Sequence, residues 1–198
     1  MASVDHLIAR ILAGTFSTDA GATVCTNCNA GSANPFKGQV TEGACRWCPA
    51  GKFASADGTA ECSSCDAGRF TPSVGYAYCV QCPVGRRSST VGSSNPSSCV
   101  ACQGGKYSST LGRKESCSTC EAGKYSESGA AKCSDCSIGR YSDGVGSTEC
   151  KACSTGKHNP STAATSATQC RSCDLGKYGP MAGSGECESC RAGTSTAR

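Results

Sequence analysis

The sequence predicts a small disulfide-rich fold: an elongated tandem array of short, irregular β-hairpin units with almost no helix. Three observations carry this reading. Cysteine supplies 20 of the 198 residues, all in ten CxxC pairs. Leu, Ile, Val and Phe together also number only 20, about half the level at which chains begin to look disordered. The 25 glycines include one at a fixed distance after every pair. So little apolar area does not offset the entropy of ordering a backbone, and cysteine chemistry has to replace the missing core.

The rest of the composition narrows the class. The net charge is +4, from 19 basic and 15 acidic residues spread through the chain. No basic block points to nucleic acid. No apolar run approaches the ~18 residues of a membrane span. The start, MASVDHLIARILAGTF, breaks its apolar stretch with Asp5, His6 and Arg10, so it lacks a signal-peptide core of about seven residues. The even cysteine count and the Ser/Thr/Gly-rich loops nevertheless fit an oxidising compartment. Residues 4–13 are expected to form at most one short helical turn. No later segment holds a 3.6-residue apolar period.

Repeats organise the chain from Cys25 onward. The pairs begin at Cys25, Cys45, Cys62, Cys79, Cys99, Cys117, Cys133, Cys150, Cys170 and Cys187. Glycine stands three residues after each second cysteine: Gly31, Gly51, Gly68, Gly85, Gly105, Gly123, Gly139, Gly156, Gly176 and Gly193. Each is read as a turn at positive φ that folds the chain back over the sulfurs. Lys or Arg follows eight of them. Six repeats then carry an aromatic, Phe53, Phe70, Tyr107, Tyr125, Tyr141 or Tyr178, read as a plug over a disulfide. In short repeats a second glycine, such as Gly58 or Gly146, suggests the far turn of a small hairpin.

Residues 1–24 read as a degenerate repeat, with Ile8 and Ile11 where a CxxC would stand. Residues 191–198 read as the start of a further one, so the chain is expected to be a piece of a longer array. Three connecting bodies have 16 residues where the others have 12 to 14. They show Ala33, Arg87 and His158 in place of the aromatic. All contain Asn-Pro, at Asn34-Pro35, Asn95-Pro96 and Asn159-Pro160, and are read as a second loop class with a proline-fixed turn.

The cysteines have three conceivable jobs. Redox chemistry needs one CxxC at a helix N-terminus, a context absent from this sequence. Paired CxxC motifs have the spacing for tetrahedral zinc, but their loops do not resemble zinc ribbons. Disulfides are the favoured reading. A ladder joining each second cysteine to the next first one would orphan Cys25 and Cys190. Crossed pairs use all twenty and are preferred: Cys25–Cys45 with Cys28–Cys48, Cys62–Cys79 with Cys65–Cys82, Cys99–Cys117 with Cys102–Cys120, Cys133–Cys150 with Cys136–Cys153, and Cys170–Cys187 with Cys173–Cys190. Residues 25–190 then divide into five four-cysteine modules, 25–48, 62–82, 99–120, 133–153 and 170–190.

No catalytic constellation is present. His6 and His158 are the only histidines and sit in unrelated contexts, so neither a triad nor a dyad is available. No cofactor and no metal site is expected. Trp47, inside a CxxC, reads as a plug against its own disulfide, with surface contact the alternative. The basic positions read as a solvated face, with a site for acidic partners the alternative. No N-x-[ST] sequon occurs, and the Ser/Thr-rich loops leave O-linked sugars open.

The stretch CPAGKFASADGTAECSSC, residues 48–65, and its relatives resemble the ephrin-receptor-like cysteine-rich repeat, akin to modules of growth-factor-receptor and TNF-receptor ectodomains. The motif CxxCPxGxYS…G…CxxC matches well at Cys45–Cys65 and, apart from the proline, at Cys170–Cys190. The resemblance implies an extracellular or cell-surface, non-catalytic protein. Its expected role is a segment of a surface filament, coat or matrix protein that contacts protein partners, itself or neighbouring domains. A receptor ectodomain stalk binding a protein ligand is the alternative, and an intracellular zinc array the second alternative.

Overall fold

One rule generates every strand among the described residues. The two residues after a turn glycine form one short strand, and the two residues inside the next CxxC form its partner. Lys52–Phe53 thus pairs with Ser63–Ser64, and Arg140–Tyr141 pairs antiparallel with Lys151–Ala152. The structure, a computed structural model, describes residues 12–193. Twenty such strands form ten two-stranded sheets, each joining consecutive strands. Among the described residues there is no α-helix, only three 3-10 turns, at Glu42–Ala44, Pro96–Ser98 and Ala167–Gln169. The expected helical turn at 4–13 lies almost wholly outside the described residues, as does most of the repeat start at 191–198. The degenerate first repeat forms the same hairpin, Thr15–Phe16 against Thr26–Asn27.

The cysteine pairing differs from the preferred expectation. Nine disulfides join each second cysteine to the next first cysteine: Cys28–Cys45, Cys48–Cys62, Cys65–Cys79, Cys82–Cys99, Cys102–Cys117, Cys120–Cys133, Cys136–Cys150, Cys153–Cys170 and Cys173–Cys187. Cys25 and Cys190 are unpaired. None of the ten crossed pairs, Cys25–Cys45 through Cys173–Cys190, is formed, and the division into five closed modules goes with them. The reason is strand geometry. The residues inside each CxxC are extended, and side chains three apart on a strand point to opposite faces. The two sulfurs of a pair therefore face away from each other, one toward the preceding body and one toward the following. Crossed bonding needs both on one side. The four-thiolate arrangement of a zinc array fails for the same reason.

The chain divides into two compact units, Met1–Pro83 with Arg87–Val100 and Leu111–Glu115, and Val84–Arg86 with Ala101–Thr110 and Ser116–Arg198. Each unit is built around sulfur and small side chains. The second cysteines are the most buried, with Cys48, Cys65, Cys82 and Cys136 at 0% exposure. Beside them lies the residue three after each turn glycine: Asn34, Ala54, Thr71, Ser88, Ser108, Ser126, Ser142 and Asn159, all buried.

That residue is buried because its backbone is satisfied on both sides. The Ser126 carbonyl accepts from Gly105 N–H of the preceding repeat, and Ser126 N–H donates to the Ser147 carbonyl of the next. A third bond per step runs from the second-turn glycine to a second cysteine, as from Gly146 N–H to the Cys120 carbonyl. All three recur within each unit, for example at Gly51–Thr71, Thr71–Ser93 and Gly92–Cys65. Each contributes roughly 1 kcal/mol net, and each group would cost more if buried unpaired.

Candidate functional site

The rungs leave the outward side chains free to vary, and any functional surface has to be sought among them. All ten predicted turn glycines, from Gly31 to Gly193, have positive φ. The six predicted aromatics divide. Phe70 is 9% exposed and packs on Cys82 and Cys99, so it does cover a disulfide. Phe53, Tyr107, Tyr125 and Tyr141 are half-buried. Tyr178 is 41% exposed and its phenol donates to Glu188 at 2.9 Å, which raises its pKa above the ordinary tyrosine value.

The basic position after each turn glycine lies on the outer strand, opposite the second residue inside the next CxxC. Lys124 faces Asp135 there and donates to its carboxylate, and this bond raises the lysine pKa. A second ion pair joins Lys151 to Asp143 at 2.8 Å. It raises the Lys151 pKa and lowers that of Asp143 through the hydrogen bond between them. These are exposed pairs, screened by solvent and salt. Lys124, at a basic position after a turn glycine, and Lys151, inside a CxxC, are thus each partly neutralised by a neighbouring carboxylate.

The long repeats differ from the short ones in a way spacing alone did not reveal. Gly38 and Gly92 hold positive φ seven residues after Gly31 and Gly85, and Ala163 does so after Gly156. The long bodies therefore keep the second turn, and the extra residues come afterwards as the 3-10 turns. The three Asn-Pro sequences are not equivalent. Asn34 and Asn159 occupy the buried core position, with side chains accepting from Phe36 N–H and Ser161 N–H. Asn95 instead caps the 3-10 turn at Pro96–Ser98, accepting from Ser97 N–H.

The first long repeat carries the most distinctive surface. Trp47 is 60% exposed. Its indole rests on Gly75, where an added Cβ would meet the ring at 3.2 Å. Phe16, Asn27, Asn29, Glu42, Trp47 and the Cys28–Cys45 disulfide line an open cavity of about 440 Å³. Phe36 and Val40, on the same loop, are also exposed. Among the described residues no group of acidic, histidine or cysteine side chains could hold a metal ion, and no helix is long and apolar enough to cross a membrane.

Comparison with known families agrees with this geometry. Residues 51–99 and 123–170 each match the family described as tyrosine-protein kinase ephrin type A/B receptor-like. Each match spans several rungs of the ladder. No curated protein matches the chain.

Proposed function

We propose that this chain, an array of ephrin-receptor-like cysteine-rich repeats, is a non-catalytic extracellular interaction protein, one segment of a surface filament, coat or matrix. The observation that carries this reading is the uniform stitching of repeat to repeat. The same three backbone bonds and one disulfide recur at step after step, while the outward residues change freely. Such an arrangement suits a scaffold that fixes spacing and presents side chains to protein partners, including further copies of itself or adjoining domains. Nine disulfides fit an oxidising exterior. The Ser/Thr-rich loops are acceptors for O-linked sugars.

The second reading is a receptor ectodomain that binds a protein ligand, and the cavity beside Trp47 is the observation in its favour. Antibody labelling of intact, unpermeabilised cells tests the location common to both. The filament reading further requires that protein extracted without reductant sediment as an ordered assembly. Labelling only after permeabilisation overturns both readings. Surface labelling of a dispersed monomer in extracts overturns the filament and leaves the receptor.

A further inference from the structure

The three long repeats form an internal experiment on what the cavity beside Trp47 is for. Each places an aromatic, a disulfide and a 3-10 turn in the same order. In the first these are Phe16, Cys28–Cys45 and Glu42–Ala44; in the second Phe70, Cys82–Cys99 and Pro96–Ser98; in the third Tyr141, Cys153–Cys170 and Ala167–Gln169. The side chains at corresponding positions diverge. Where the first repeat has Asn29, Glu42 and Trp47, the second has Pro83, Pro96 and Ala101, and the third has Ser154, Ala167 and Ser172. In the second, Phe70 closes onto its disulfide and is buried. The scaffold is therefore complete with alanine where Trp47 stands and with proline or alanine where Glu42 stands. The tryptophan and the carboxylate exceed what the fold requires.

What they can do follows from their chemistry. The indole is held by contact with Gly75 yet remains more than half exposed. Phe16 adds a second aromatic to the cavity, and Glu42 is its single charged lining residue. Glu42 has no ion pair with a described residue, and it begins a 3-10 turn whose N-cap, Thr41, makes no side-chain capping hydrogen bond. Two aromatic surfaces and one carboxylate complement a planar cation: a guanidinium stacks on an indole face and donates in a fork to a carboxylate. The amides of Asn27 and Asn29 offer further acceptors. The cavity's 440 Å³ falls in the range of specific side-chain and small-ligand sites.

We propose that this cavity is a binding site for an arginine side chain of a protein partner, held between Trp47 and Glu42. The proposal rests on the interaction reading above and names the chemistry of one contact. Trp47 is the only tryptophan, so its fluorescence reports the site directly. The purified, disulfide-intact chain is titrated with the peptide acetyl-Gly-Arg-Gly-amide, with its citrulline counterpart and with chitotriose. The expected result is a saturable fluorescence change with the arginine peptide only. Glu42→Gln should weaken it about fivefold or more, with an unchanged disulfide count and circular dichroism. Trp47→Ala should abolish binding read by calorimetry without loss of fold, since Ala101 occupies the corresponding place. Equal response to citrulline, a response to chitotriose, insensitivity to Glu42→Gln, or no response at all each overturns the proposal. A purified chain and a short peptide make the result independent of where the protein resides or whether it assembles.

Discussion

Gly105 and Gly176 occupy the same place in their repeats, precede the same Lys-Tyr sequence and share φ +78°. Their surroundings differ completely. A Cβ on Gly105 would lie 1.9 Å from the Gly146 carbonyl oxygen, whereas one on Gly176 would meet none of the described residues within 4 Å. The difference teaches that two separate demands select glycine here. One is local, the left-handed turn, and both positions feel it. The other comes from a backbone two repeats further on, which covers Gly105 and which no described residue supplies at Gly176. Gly105→Ala should therefore cost about 3 kcal/mol or more, since the Gly146 backbone cannot move aside without disturbing the bond from its N–H to the Cys120 carbonyl. Gly176→Ala should cost only the ~1–2 kcal/mol of a side chain in the left-handed region. Urea midpoints of the oxidised variants measure both, and equal costs would remove the packing demand from the account.

The same logic separates neighbours within one repeat. Ser108 is fully buried while Ser109 beside it is exposed. Ser108→Leu should destabilise by about 1–3 kcal/mol through overpacking. Ser109→Leu should stay within about 0.5 kcal/mol. A weaker effect is expected at Ala163, the single described non-glycine residue at positive φ, 54°, which stands where the other repeats have their second glycine. Ala163→Gly should raise stability by up to about 1 kcal/mol, and a loss would mean that its methyl packs usefully.

The smallest effect concerns Tyr178. Its hydrogen bond to Glu188 raises its pKa, so the neutral phenol is favoured by folding. That contribution is present below the ordinary tyrosine range and is lost as pH rises through the raised folded value. In an alkaline absorbance titration, Glu188→Gln should move one of the six tyrosines to lower pH. Superimposable curves would show that the bond is not held in solution.

Much of the fold was legible because its determinants are periodic. Ten CxxC pairs and ten glycines mark hairpins, and the low aliphatic content marks a sulfur core. The pairing was misread because counting cysteines favoured using all twenty. The alternation of side chains along Ser134–Asp135, between Cys133 and Cys136, argues instead for opposite directions. The buried position after each aromatic was missed because Ser126 or Thr71 reads as a loop residue. Its burial comes from backbone bonds to repeats on either side, which residue type does not report. The 3-10 turns carry no such mark, because they follow the second turns at Gly38, Gly92 and Ala163 and only one of the three Asn-Pro sequences, Asn95-Pro96, opens one. At the candidate site, Trp47 stands out by rarity, but Glu42 acquires meaning only once the turn at Glu42–Ala44 brings it into the lining of the same cavity.

The central claim is the continuous ladder, and Cys136 tests it most directly. Digestion of the oxidised chain without reduction, followed by mass spectrometry of the linked peptides, reads its partner. The ladder predicts a peptide linking Cys136 to Cys150, together with one linking Cys120 to Cys133. Peptides linking Cys136 to Cys153 and Cys133 to Cys150 would contradict it and restore a chain of closed four-cysteine modules.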